Sequence, residues 1–70
     1  MTLKVDNVKE SDSEDKLEQI FKPFGSLSLQ IISTKRDNFA EVIFDRLNSS
    51  LAAIREVNEG GRYGLFVSMM

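Results

Sequence analysis

Residues 35–44 read KRDNFAEVIF. Drawn out as a strand, this segment sends Ala40, Val42 and Phe44 to one face, because successive side chains alternate. Phe39, Glu41 and Ile43 point the other way. The first face is apolar at every position and belongs to a core. The second sets a carboxylate between an aromatic and an aliphatic side chain, a pattern open to two readings, a solvated polar sheet face or a surface that meets a partner.

The neighbours of this strand define its setting. Residues 34–38, TKRDN, are polar and turn-prone. Before them, in SLSLQIIST, Leu27, Leu29 and Ile31 alternate with Ser28, Gln30 and Ile32, which predicts a strand and hence a hairpin. Its facing stays open, since one bulge would reverse part of it. After the hairpin, Asp45, Arg46 and Leu47 leave the strand, and Asn48 or Ser49 is expected to cap a helix. Ser50, Ala53, Ile54 and Val57 would form the buried stripe of that helix. Residues 58–64, NEGGRYG, read as a glycine-rich loop. Leu65, Val67 and Met69 alternate with Phe66, Ser68 and Met70 in a last strand.

Towards the N-terminus, Leu3 to Asp6 form a short strand with Leu3 and Val5 inward and Lys4 and Asp6 outward. Ser11 or Ser13 can cap the helix that follows, and Glu14 and Asp15 suit the positive end of its dipole. Leu17, Ile20, Phe21 and Phe24 lie three or four residues apart and make one buried stripe. Pro23 and Gly25 suit its end. The order strand, helix, strand, strand, helix, strand predicts an α+β, ferredoxin-like βαββαβ fold. Its four-stranded antiparallel sheet would run in the order 4-1-3-2, with two helices on one face. Phe39, Glu41 and Ile43 then lie on the face left without helices.

Bulk properties narrow the function. Seventy residues make one small domain, expected to span 1–70. There is no cysteine and no histidine, so no disulfide or thiolate metal site exists and the commonest acid–base group is missing. No metal or cofactor is expected. No apolar run approaches the roughly 20 residues of a membrane span. The first ten residues, MTLKVDNVKE, hold no apolar signal region. These readings fit a cytoplasmic or nuclear protein with no membrane partner. The net charge of −2 and pI of about 5.0 give no global positive field, so any contact with nucleic acid has to be local.

The chain resembles the RNA recognition motif family along its whole length. LKVDNV at 3–8 is similar to the family's six-residue motif, and FKPFGSL at 21–27 to its F-x-x-F-G-x-I. DNFAEVIF at 37–44 resembles the eight-residue motif K/R-G-F/Y-G/A-F/Y-V-x-F/Y. Ser50, Ala53 and Ile54 follow Phe44 at the family's A…AI spacing, and Asn58, Gly64, Val67 and Met69 keep the spacing of N-G…G-R-x-L-x-V. The resemblance implies an open sheet on which bases of single-stranded RNA stack on aromatic rings of the two central strands. Phe39 and Asn7 match. Glu41 and Lys4 stand where the other two stacking aromatics belong, Asp37 replaces the leading basic residue, and Asn38 replaces the usual glycine. The resemblance is therefore to a divergent member with two of three platforms replaced, and each platform is worth about 1–3 kcal/mol per base.

On this basis the expected function is a binding module that takes single-stranded RNA weakly through the open face. Phe39 and Phe66 would meet bases, Lys4, Lys35 and Arg36 would meet phosphates, and Asn7 belongs to the same motif. Lys4 and Glu41, opposite each other on the central strands, are expected to form an ion pair worth about 0.2–1 kcal/mol. The alternative is a protein-interaction module, by partner binding or self-association. Phe39 and Phe66 with Ile32 and Ile43 form an apolar patch that also suits a protein or a tail beyond Met70. Leu47 and Leu51, one turn apart, offer a second apolar surface. Asp12, Glu14, Asp15 and Glu18 make the first helix acidic, but the loop Arg62-Tyr63-Gly64 lacks the phenylalanine of peptide-binding relatives. A weak reader ending on its last strand is expected to be one part of a longer multidomain protein. An enzyme is not expected. Asp6 and Glu41 lie on a flat sheet with no cleft to exclude water. Acylphosphatases share the topology, but NVKESDS at 7–13 lacks the arginine their loop requires.

Overall fold

The computed structural model describes residues 1–61 and 63–70. Its elements follow the expected order. Strand β1 is Thr2–Asp6, helix α1 is Glu14–Phe21, and a 3₁₀ turn covers Lys22–Phe24. Strands β2 (Ser26–Ser33) and β3 (Asn38–Phe44) follow, then helix α2 (Leu47–Gly60) and strand β4 (Phe66–Met69). The strands form one antiparallel sheet in the order β2-β3-β1-β4, the arrangement expected from the pattern.

Local chemistry accounts for most boundaries. Ser13, not Ser11, caps α1: its Oγ accepts the Lys16 backbone N–H at 3.1 Å. Pro23 tightens the end of α1 into the 3₁₀ turn, and Gly25 at φ 96° reverses the chain into β2. That left-handed angle strains any side chain with a Cβ. The β2–β3 hairpin closes on Thr34. Its hydroxyl accepts the Arg36 and Asp37 N–H groups and donates to the Asp37 carbonyl.

One face of the sheet carries the core. Leu3 and Val5 of β1, Ala40, Val42 and Phe44 of β3 and Val67 of β4 are buried against Leu17 and Phe21 of α1 and Ala53 and Val57 of α2. Small residues on α2 let it approach the sheet closely. Ser50 is fully buried, and its hydroxyl is satisfied by donating to the Leu47 carbonyl at 2.7 Å. Burying a large apolar side chain such as Phe21 contributes about 1.5–3 kcal/mol before ordering costs are subtracted.

Several expectations need correction. Helix α2 begins at Leu47 with Arg46 at the capping position and no side-chain cap, so Asn48 and Ser49 lie inside the helix. It also runs on to Gly60, through residues expected to be loop, and stops at Gly61 with φ 56°. Asn58 supplies the reason. Its carboxamide donates to the Val67 carbonyl at 2.8 Å and accepts the Val67 N–H at 2.7 Å. The facing of β2, left open by its sequence, is set by a register shift between Ser26 and Ser28. Leu27 is thrown outward there and is 63% exposed, while Leu29 is buried. Met69 lies on the core side opposite Leu3 yet stays exposed at the sheet's edge.

The two outer strands are treated differently. Ladder parity leaves the Val67 backbone pointing away from β1, and Asn58 occupies both of its groups. On β2 the Ile31 N–H points outward and donates to Glu14 Oε1 at 3.2 Å.

Candidate nucleic-acid interface

The face without helices is a grid whose rows cross the strands. Strand pairing sets Gln30, Glu41, Lys4 and Ser68 in one row. The neighbouring row holds Ile32, Phe39, Asp6 and Phe66. Ile32 pairs with Phe39, Asp6 pairs with Phe66, and the β1–β3 register extended by one residue sets Asp6 opposite Phe39. Ser28, Ile43 and Thr2 make a third row. Adjacent strands are about 4.8 Å apart, so the two phenylalanines stand about 10 Å from each other across Asp6.

The structure thus brings Phe39, Phe66 and Lys4 onto one surface. Their states differ. Phe66 is 56% exposed. Phe39, expected to be open, is half-buried: the Lys4 ammonium stands over its ring, 5.1 Å from the centroid. Such a cation–π contact is worth about 0.5–1 kcal/mol at an exposed site.

Lys4 does not pair with Glu41 as expected, although the two are direct cross-strand partners. Its Nζ lies 3.6 Å from Asp6 Oδ1, and both side chains are 40% exposed. Leaning along the strand places the ammonium near Asp6 and the Phe39 ring together, whereas Glu41 offers one partner alone. At this exposure the ion pair contributes well under 1 kcal/mol. Sequence reasoning missed Asp6 as the partner. The available signal was its two-residue offset from Lys4, which puts both on one face of the same strand.

The remaining candidates sit at one end of the sheet. Asn7 ends β1 in a left-handed conformation, φ 66°, which asparagine tolerates better than most residues. It lines an open cleft with Lys9, Arg36, Asp37, Asn38 and Gly64. Lys35 and Arg36 are exposed at the hairpin tip beside Asp37. Asn7 and Arg36 therefore line the same cleft, which Asp6 also borders, and Lys9 joins them without having been singled out in the sequence. Arg62, the start of the loop compared with peptide-binding relatives, lies outside the described residues.

Other surfaces offer less chemistry. Among the described residues no group of three or more potential metal ligands comes together, and no helix is long and apolar enough to cross a membrane. On α2, Leu47 and Leu51 are 47% and 48% exposed. Just ahead of α1, Asp12 accepts from Lys16 Nζ at 2.8 Å and from the Lys9 N–H at 3.0 Å. The Lys16 hydrogen bond, then that of Lys9, holds the Asp12 carboxyl below its ordinary range.

Comparison with known proteins agrees with this geometry. The family model described as RNA recognition motif matches residues 3–67. Among solved structures, the RRM domain of S. pombe Puf1 superposes with a TM-score of 0.80 at 19% identity, covering 100% of this chain and 97% of that one. A crystal structure of RNA binding protein PG1 superposes at 0.70 with 22% identity, covering 81% of this chain and 75% of that one. At these identities both likenesses speak to the fold alone. A search of curated protein sequences returns no match.

Proposed function

The chain belongs to the RNA recognition motif family, and from that premise we propose that it binds single-stranded RNA weakly on its open sheet face. The observation that carries this reading is the placement of Phe39 and Phe66 on one face in one cross-strand row. Bases stack on the two rings, Phe66 directly and Phe39 once Lys4 swings aside. Lys4, Lys35 and Arg36 meet phosphates. Asn7 shapes the strand end beside them. Two features keep affinity low. Glu41 occupies a stacking position, and Asp6, Asp37 and Glu41 repel the backbone. A weak module gains useful affinity when linked to others in one longer protein. The 1–70 domain is read here as one such module.

The test is an NMR titration of the labelled protein with a pool of short single-stranded RNAs at low salt. Shifts centred on Phe39 and Phe66 are expected. Three cations on a single strand give a slope of log affinity against log salt of about −2. No shifts at any salt overturn the reading. If light scattering then shows self-association, or a partner shifts Leu47 and Leu51, the protein-binding alternative stands in its place.

A further inference from the structure

We infer that the open face selects guanine, through the carboxylate of Asp6 acting on a base stacked on Phe66. This rests on the RNA-binding reading above and adds to it the identity of one base. Asp6 and Phe66 are direct cross-strand partners on the same face, with Cα atoms about 5.5 Å apart for a hydrogen-bonded pair. The ring is 56% exposed and offers the most open aromatic surface of the sheet. A base lying on it turns one edge towards β1, where Asp6 stands.

An ionised carboxylate only accepts hydrogen bonds. It therefore sorts bases by their donors. Guanine presents N1–H and the N2 amino group side by side, and the two carboxylate oxygens can take both. Adenine and cytosine each present one amino group next to a ring acceptor, so one oxygen is satisfied and the other faces a lone pair. Uracil presents a single N3–H between two carbonyl oxygens, the poorest match. The order of preference is guanine first, then adenine and cytosine, then uracil.

Glu41 does not share this role. Its row is Gln30, Glu41, Lys4 and Ser68 and contains no ring to hold a base. Asp6 alone among the carboxylates of the sheet has a phenylalanine on either side in its row. Lys4, at 3.6 Å, offsets its charge towards an incoming phosphate without covering Phe66.

The experiment compares fluorescein-labelled pentamers UUGUU, UUAUU, UUCUU and UUUUU in a low-salt titration. Wild-type protein is expected to bind the guanine pentamer about tenfold tighter than the uracil one, in the range for a bidentate base contact. Replacing guanine by inosine, which lacks the N2 amino group, should remove a severalfold part of that preference. Asp6→Asn carries both a donor and an acceptor, so its guanine-to-uracil ratio should fall towards one, even if overall affinity rises. Binding of all four pentamers with equal affinity, or a ratio unchanged in Asp6→Asn, overturns the guanine assignment and leaves the RNA-binding reading intact. No binding of any pentamer overturns both.

Discussion

At the scale of single residues, the two phenylalanines of the open face are not equivalent. Phe66 presents a bare ring, whereas Phe39 already carries an ammonium. Phe66→Ala should weaken RNA binding by about five- to a hundredfold, the cost of one stacked base. Phe39→Ala should weaken it less, because a base has to displace Lys4 first. Urea unfolding of Phe66→Ala should stay within about 0.5 kcal/mol of wild type, as for an exposed substitution. Equal affinity losses in a fluorescence titration would mean that the lysine leaves Phe39 at no cost. Asp12 gives a second test. Its folded carboxyl titrates below the unfolded value, so its contribution is present above pH 4 and is lost as pH falls through the folded value. Asp12→Asn should flatten that part of the acid unfolding curve by up to about 1 kcal/mol, since the Asp12 side chain is 10% exposed but its lysine partner is 58% exposed and screened by water. Circular dichroism between pH 5 and 2 reads the difference.

At the scale of elements, α2 and β4 are joined by one side chain. Asn58→Ala would strip two hydrogen bonds from the Val67 backbone. A loss of about 1–3 kcal/mol in urea unfolding is expected, together with faster amide exchange at Val67. This contact also shows what the sequence could and could not display. The alternation in β3 and the stripes of α1 and α2 were legible because burial imposes the period of each element on its own residues. The end of α2 was not. Asn58, Glu59 and Gly60 look like a loop by composition, and their helical state depends on a strand nine residues further on. The start of α2 was misplaced for a related reason: Ser50, the serine closest to the core, satisfies itself within the helix, and no cap is used. At the site, the face occupied by Lys4, Phe39 and Phe66 followed from parity. The choice of Asp6 over Glu41 did not, because a lysine rotamer answers to the ring and the carboxylate together, and pairwise register does not count rings.

At the scale of the whole molecule, the sheet divides the labour. One side holds the core, and the other carries none of its buried residues and is free of its packing constraints. That freedom lets Lys4 and Glu41 stand where the family places rings while the backbone still superposes on an RRM domain at a TM-score of 0.80. The sheet's outer limits have a different logic. Strand β2 runs eight residues, SLSLQIIS, with no charge and no proline. Its Ile31 N–H is held by the Glu14 carboxylate. Such a strand is a template for cross-β growth. Glu14 therefore occupies one of the outward-facing donors that a docking strand would use, at an exposed position on α1 away from the open sheet face. Glu14→Ala should leave monomeric RNA affinity unchanged and shorten the lag before thioflavin-positive material forms in a concentrated, agitated sample. An unaltered lag would mean that helix α1 shields this border by bulk alone.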